Sequence, residues 1–242
     1  MFAAILTLAF VVAHIAAEIP PYINVCSRRD PNLDRCLLEN IKNLKNKICQ
    51  GMPELSVPPT EPMHMDQIDV DTDNTKISFT NMYATGFCNY EVQSLHVDLE
   101  KQHVDIKIIF KQININTTCS FNVNVTKPVS MKGPIRITTD NVSAKAGIDL
   151  SMATEGNKEY VYLSNMDLDL DIKDYKTDVS SFNDGKIVQM QEISQKILGT
   201  NRQELLTVLK PNLEKIISKQ ILTFSNEIVK HFTYDELFPD HI

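Results

Sequence analysis

The feature that most restricts the fold of this chain is a long apolar stripe near its C-terminus, in residues Lys186–Phe232. Apolar residues recur there at the spacing of one helix face. They are Ile187, Met190, Ile193, Ile197, Leu205, Leu209, Leu213, Ile216, Ile217, Ile221, Phe224, Ile228 and Phe232. At about 1.5 Å per residue the stripe spans on the order of 60–70 Å, which exceeds the width of a compact domain of this size. An elongated element must therefore cover it.

Two features interrupt the stripe. Gly199-Thr200-Asn201 is typical of a glycine at a helix C-terminus followed by a new N-cap, and Glu204 then complements the dipole of the next helix. Pro211 lacks an N–H and clashes with the preceding turn, which predicts a kink or the start of a further helix. We therefore expect two or three helical segments.

The first residues, Met1–Ala17, have the pattern of a secretory signal peptide. They contain no Lys or Arg, an apolar run over Phe2–Val12 and a small-residue ending, Ala16-Ala17. Residues 18–242 contain no linker-like stretch and no apolar run of membrane-spanning length, so we expect one secreted, extracellular domain. The net charge of -7 and the absence of a basic cluster argue against nucleic acid as a partner.

The N-terminal region predicts a helix that is fastened by a disulfide. Asp30 is a good N-cap with Pro31 at the first helical position, and the apolar periodicity extends the helix to about Cys49. The short loop before this helix would let Cys26 and Cys36 close a staple that fixes the incoming chain to its first turns.

The five cysteines leave one thiol over in an oxidising compartment. Cys88 and Cys119 are favoured as the second pair because both lie in the strand region, and Cys49 would then be the spare thiol. A simple hairpin about Lys101-Gln102 places residue 88 opposite residue 115, about 13 Å along the strand from Cys119. This pairing therefore requires β-bulges.

From about Gln67 to Ser180 the apolar period changes to two, which predicts one-sided β-strands. Short turns at Glu100–His103, Lys132–Pro134, Asp140-Asn141 and Glu155–Asn157 predict an antiparallel meander. Such a sheet buries its apolar face against a partner, and the C-terminal stripe fits that role. The expected fold class is therefore α+β, with a curved antiparallel sheet wrapped around a long C-terminal helix and a disulfide-stapled helix at the N-terminus.

Three glycosylation sequons fall in the strand region. They begin at Asn116, Asn124 and Asn141. Asn124 is predicted on the polar face of its strand and Asn141 at a turn, as acceptors on an outer surface should be. We therefore expect a glycoprotein.

The sequence contains no catalytic signature, and its seven glycines form no phosphate-binding loop. Asp69-Val-Asp71-Thr-Asp73 resembles the start of a calcium loop, but Asn74 and Thr80 stand where the loop needs Gly and Glu. The histidines are scattered along the chain. We expect no enzyme, no catalytic residue, no metal and no cofactor.

Several short blocks of this chain match the pattern of one known family. They are Ile19–Ile23, the Cys26–Cys36 spacing around Asp30–Leu33, Gly51–Leu55, Val57–Pro59, Glu61-Pro62, Ser181–Asn183, Leu209–Pro211 and Tyr234–Pro239. With them the chain resembles the insect takeout and juvenile-hormone-binding family of the tubular lipid-binding superfamily. The resemblance implies a strongly curved sheet around a long helix, the Cys26–Cys36 disulfide, and carriage of a lipophilic molecule in haemolymph through an internal tunnel.

The chain also departs from that family. No Cys follows Cys119, so the later disulfide of the moth hormone carriers cannot form, and the chain resembles takeout more than the hormone-binding prototype. The Asn-rich stretch Asn114–Asn124 and the Gly199-Thr200-Asn201 break also depart from the family pattern.

The leading hypothesis is a secreted, monomeric, non-enzymatic carrier for an elongated lipophilic molecule, such as a juvenile-hormone-like isoprenoid or a fatty acid. Periodicity gives the candidate tunnel residues Tyr83, Phe87, Phe110, Phe121, Met190, Ile193, Ile197, Leu213 and Phe224. One alternative is a glycosylated interaction protein with a filled core that binds a receptor or a membrane surface. Another is an esterase whose catalytic residues come from distant positions.

Overall fold

The computed structural model describes residues 19–71, 75–124, 128–179 and 202–241. The predicted signal peptide Met1–Ala17 lies outside the described residues. So do the first half of the apolar stripe, with Met190, Ile193 and Ile197, and the predicted break at Gly199-Thr200-Asn201.

The described strands form one antiparallel sheet, as the period of two predicts. Its main path is β1-β3-β5-β6-β7, while β2 pairs with β3, β4 with β5 and β8 with β6. The strands are β1 (Met63–Met65), β2 (Ile68–Asp71), β3 (Thr75–Thr85), β4 (Tyr90–Asp98), β5 (His103–Asn124), β6 (Pro128–Glu155), β7 (Lys158–Asp171) and β8 (Lys176–Asp178). The sheet curves into a half-barrel.

Two very long strands supply the length that the apolar stripe requires. β5 has 22 residues and β6 has 28, and they pair from His103–Asp149 at one end to Asn124–Pro128 at the other. At about 3.3 Å per residue, β5 alone extends roughly 70 Å along its path. The predicted turns at Glu100–His103 and Glu155–Asn157 are confirmed, since they connect β4 to β5 and β6 to β7.

The two turns predicted at Lys132–Pro134 and Asp140-Asn141 are wrong, because both segments lie inside β6. Pairing with β5 continues through Pro134, where no described strand pairs with the other side of β6, so the missing N–H is tolerated. Asn141 has a φ of 55°, a left-handed conformation that Asn adopts readily. It lies opposite Lys111 between the pairs Phe110–Val142 and Gln112–Asp140, the one unpaired position of this ladder, and the register does not change there.

Three α-helices lie in the described parts of the chain. They are α1 (Leu33–Gln50), α2 (Arg202–Val229) and the short α3 (Tyr234–Leu237). α1 starts two residues later than predicted, because Asp30 instead accepts a hydrogen bond from the Asn32 N–H in a turn before the helix. α2 continues through Pro211, so the prediction that a new helix could start there is wrong.

The predicted disulfide Cys26–Cys36 is confirmed, with an S–S distance of 1.94 Å. The favoured pair Cys88–Cys119 is wrong. Cys88 lies in the turn between β3 and β4, where it meets the end of α1 and bonds to Cys49. Cys119 is the free thiol, and its burial raises its pKa to about 12.

α2 lies along the inner face of the sheet and also completes the edge of β7. The side-chain amide of Asn226 accepts from the Leu163 N–H at 2.8 Å and donates to the Leu163 carbonyl at 2.9 Å. The Glu214 carboxylate accepts from the Leu170 N–H at 2.8 Å. These bonds satisfy main-chain groups that an edge strand otherwise leaves unpaired.

We predict that Asn226→Ala lowers the free energy of unfolding by about 1–3 kcal/mol, because both main-chain groups of Leu163 lose their partner. Asn226→Asp keeps an acceptor for the Leu163 N–H but no donor for the Leu163 carbonyl. Its free energy of unfolding should therefore lie between those of the natural protein and the Asn226→Ala variant. Thr223→Ala, one turn earlier and exposed, is the control and should cost less than about 0.5 kcal/mol. Urea unfolding measures all three, and equal stability of the Asn226→Ala and Thr223→Ala variants contradicts this account of the edge.

Candidate ligand-binding cavities

The larger apolar cavity, of about 360 Å³, lies at the α1 end of the sheet. It is enclosed by α1, the N-terminal segment, the adjoining ends of β4–β7, and the C-terminal residues. Its lining is Ile23, Asn24, Val25, Cys26, Leu37, Asn40, Ile41, Leu44, Leu95, Val97, Val104, Ile148, Leu150, Val161, Leu163, Val229, Leu237 and Phe238. We call it the large cavity. Among the described residues that line it, only Asn24 and Asn40 have amide side chains.

Periodicity explains why these side chains meet. Leu37, Ile41 and Leu44 lie three or four residues apart and so share one face of α1. Leu95 and Val97 are two residues apart and therefore point to the same side of β4. One helix face thus closes the end of the sheet's apolar face.

The N-terminal wall of the large cavity is fixed by Asn40. This side chain is 7% exposed, and its Oδ1 accepts from the Asn24 N–H at 3.1 Å. Its Nδ2 donates to the Asn24 carbonyl and lies 3.3 Å from the Cys26 Sγ. Together with the Cys26–Cys36 disulfide, these contacts hold the incoming chain on α1.

The C-terminal residues close the same end through Arg28. Its guanidinium contacts Asp235 at 2.5 Å and Asp240 at 2.9 Å, and the main-chain N–H of Arg28 donates to the Pro239 carbonyl at 3.0 Å. The guanidinium also lies 5.2 Å from the centre of the Tyr234 ring. The two termini of the described chain therefore meet at the large cavity.

α1 is attached to β4 at its N-terminal end through Asp34. The Asp34 carboxylate accepts from the Val97 N–H at 2.8 Å and lies 3.0 Å from the His96 Nδ1. The hydrogen bond to Asp34 raises the pKa of His96, with further contributions from nearby carboxylates. At its C-terminal end, the Cys49–Cys88 disulfide attaches α1 to the turn that precedes β4.

A second apolar cavity, of about 70 Å³, lies between the N-terminal half of α2 and the opposite end of the sheet. We call it the small cavity. Its lining is Ile68, Phe79, Met82, Ile115, Ile137, Thr139, Ile172, Tyr175, Thr177, Leu205, Leu206, Leu209 and Leu213. The Thr139 hydroxyl donates to the Asp174 carbonyl at 2.8 Å, and burial raises the pKa of Tyr175 to about 12.

A packed cluster separates the two cavities. Its buried members are Ile113, Val142, Ala144 and Leu170, and the rings of Phe87 and Phe110 pack against it. These rings meet edge to face, with centroids 5.8 Å apart. On β5, Val104 lines the large cavity and Ile115 the small one, so Phe110 lies midway between them.

The predicted tunnel residues occupy different environments. Leu213 lines the small cavity, and Phe87 and Phe110 lie in the cluster between the cavities. Phe121 is 1% exposed within the packed core, and Phe224 packs around Phe232. Tyr83 is 40% exposed on the outside of the sheet.

Sequence reasoning missed the residues of α1 that line the large cavity. The signal was present, because Leu37, Ile41 and Leu44 belong to the predicted apolar face of this helix. The strand residues Leu95 and Val97 alternate with Ser94, His96 and Asp98, a pattern that indicates a strand face but not that α1 lies over it. The apolar periodicity of the sequence did not show that α1 lies over the end of the sheet.

Metal ligation and membrane spanning find no support in the described residues. No group of three His, Cys, Asp or Glu side chains is arranged there to hold a metal ion. None of the helices in the described ranges combines the length and apolarity needed to cross a bilayer. Asn116 and Asn141 are exposed, while the side chain of Asn124 lies outside the described part of the chain.

Comparison with known proteins relates the whole architecture to one family. The sequence pattern of the haemolymph juvenile hormone binding proteins matches residues 4–239. A juvenile hormone-binding protein of Manduca sexta is 25% identical over 140 residues, which cover 56% of this chain and 58% of that relative. The alignment therefore spans less than two thirds of the relative.

The crystal structure of Takeout 1 from Epiphyas postvittana has the same fold. It superposes with a TM-score of 0.73 at 13% sequence identity, over 89% of this chain and 99% of the other. The curved sheet, the long C-terminal helix and the N-terminal helix are thus a shared architecture. Because the family pattern extends over nearly the entire sequence, the chain belongs to the family of haemolymph juvenile hormone binding proteins.

Proposed function

We propose that this protein is a secreted carrier that encloses a lipophilic small molecule between α1 and the sheet. The observation that carries this proposal is the large cavity, about 360 Å³ of space whose lining is apolar apart from the Asn24 and Asn40 amides. Cavities of this size and polarity are typical of small-molecule sites. The hormone-binding relative from Manduca sexta supports the same class of ligand.

The size of the large cavity limits the ligand. If each carbon occupies about the volume of a water molecule, roughly 30 Å³, the cavity holds about 12 carbon atoms. Burial of about 0.8 kcal/mol per CH₂ then gives about 10 kcal/mol, against an association cost of at least about 4 kcal/mol. The net value corresponds to a Kd of tens of micromolar for a simple chain.

The polarity of the cavity indicates how the ligand is oriented. The donors and acceptors of Asn40 are largely engaged with Asn24 and Cys26, so they stabilise the wall more than they bind the ligand. An isoprenoid ester or a fatty acid fits this lining if its polar end lies at the Asn24 side. The apolar tail then points toward the cluster around Phe110.

Export and assembly are part of the same proposal. Residues Met1–Ala17 would direct secretion, and residues 18–242 would act as a monomeric, non-enzymatic domain. The alternative, a receptor-binding or membrane-binding protein with a filled core, predicts that no apolar probe enters the chain. A hidden esterase predicts hydrolysis of an ester probe.

The first prediction concerns occupancy of the large cavity. Leu44→Trp introduces an indole from α1 and should weaken binding of a fluorescent fatty-acid analogue by about tenfold or more, a change of about 1.4 kcal/mol. Tyr162→Trp adds the same indole at a residue that is 43% exposed and should leave the Kd unchanged. Fluorescence titration measures both, and circular dichroism checks folding. Equal affinity of the two variants contradicts the site.

The second prediction concerns the barrier between the cavities. In the natural protein, fatty-acid affinity should stop rising once the chain fills the large cavity, whereas Phe110→Ala should let it rise for several further carbons. Phe121→Ala removes the same ring from the core of the same strand and should keep the natural chain-length limit. Competition titration across a fatty-acid series decides between them, and identical profiles for both variants would refute the two-cavity account.

A further inference from the structure

The outer face of the sheet carries a row of side chains that crosses five strands. In sequence order across the strands, the Cα partners are His64–Tyr83, Tyr83–Asn116, Asn116–Arg136 and Arg136–Asp178. All five residues are exposed. Directly opposite side chains have Cβ atoms about 5 Å apart. Asn116 therefore lies between an exposed aromatic ring and a guanidinium.

The sequon Asn116-Thr117-Thr118 is presented in a favourable way by β5. Side chains alternate along a strand, so Asn116 and Thr118 share the outer face. Thr117 faces inward, where it is 5% exposed and its hydroxyl donates to the Thr80 carbonyl at 2.9 Å. Both residues that define the acceptor site are thus outside, and only the middle residue belongs to the core.

The hydrogen bond from Arg136 orients the Asn116 amide. The Arg136 Nε donates to the Asn116 Oδ1 at 3.1 Å, and an arginine has donors only, so this oxygen must face β6. The Nδ2 of Asn116 then lies on the other branch, toward Tyr83 on β3. This is the atom to which a sugar attaches, and no described residue accepts a hydrogen bond from it.

Tyr83 is suited to receive that sugar. It is one of three large apolar side chains that are exposed in the described ranges, with 40% of its surface accessible. The His64 ring meets it edge to face, with centroids 4.3 Å apart, and so restricts its orientation. The C–H groups on one face of a pyranose pack favourably on an aromatic ring, because the face of the aromatic ring carries partial negative charge and its edge partial positive charge.

We propose that Asn116 carries an N-glycan whose first N-acetylglucosamine packs on Tyr83, while Arg136 remains bonded to the Asn116 carbonyl. This inference rests on the secretion proposed above, since the modification occurs in the secretory pathway. The Asn141 sequon is different. Asn141 lies opposite Lys111 at the one unpaired position of the β5–β6 ladder, so no aromatic ring of β5 pairs with it.

The modification is tested by mass spectrometry of the protein secreted from insect cells behind a heterologous leader. Thr126→Ala and Ser143→Ala remove the other two sequons and keep Asn141, whose left-handed backbone suits Asn. Peptide mapping should find N-acetylhexosamine on Asn116. Thr118→Ala should abolish it and Thr118→Ser should retain it. An unmodified Asn116 in the secreted protein overturns the proposal.

The contact with Tyr83 is tested by thermal unfolding of three glycoforms. Trimming to a single N-acetylglucosamine should leave the Tm unchanged, and complete removal should lower it by about 2–4 °C. In the Tyr83→Ala variant all three glycoforms should unfold at one temperature. Tyr162→Ala, which removes another exposed tyrosine, should keep the dependence on the first sugar. If the Tm loses its dependence on the first sugar equally in the Tyr83→Ala and Tyr162→Ala variants, the proposed contact is overturned.

The heterologous leader makes the test of glycosylation at Asn116 independent of the test of secretion by the chain's own N-terminal segment. A chain that fails to leave the cell with its own N-terminal segment contradicts secretion. It does not affect the measurement on Asn116, because the heterologous leader supplies export. Probe binding should be the same for the glycosylated and deglycosylated protein, since the row lies on the outer face of the sheet and lines neither cavity.

Discussion

The structure depends on burial of the apolar face of α2 against the inner face of the sheet. Leu205 and Leu213 pack on the sheet at one end and Ile217 in the middle. At the other end, Phe224 and Ile228 pack against the cluster of Met52, Leu55, Val57 and Phe232. This face is too long for an ordinary domain core to cover, and it explains why β5 and β6 are so long. Side chains of the same helix also bond to the edge of β7, so one element supplies both the core and the closure of the sheet.

A twisted sheet cannot follow a straight helix at constant distance over such a length. Phe87 and Phe110 fill the space in the middle of the sheet, and apolar space remains on either side. The two disulfides then determine which end forms the larger cavity. Cys26–Cys36 fixes the N-terminal segment to α1, and Cys49–Cys88 fixes α1 beside β4. The larger cavity is thus a consequence of how α1 closes one end of the sheet.

The fold was predictable because apolar residues recur with a period of 3.6 in a helix and of two in a strand. The length of the C-terminal apolar stripe also required an elongated element to pack against it. The turn at Asp140-Asn141 was mispredicted because Asn141 can take a left-handed conformation inside a strand as well as in a turn. The Cys88 partner was mispredicted because it depends on where α1 ends in space. The cavity residues were only partly predictable, since periodicity shows that Phe121 and Leu44 face inward but not whether neighbours fill the space beside them.

The central claim, that the interior of this chain holds a lipophilic molecule, is tested most directly by native mass spectrometry of the secreted protein before and after organic extraction. The account predicts an excess mass of one small molecule per chain that extraction removes and that returns when the delipidated protein is mixed with a fatty acid. A mass that equals the polypeptide and its glycans alone in every sample, with no uptake on mixing, would contradict it.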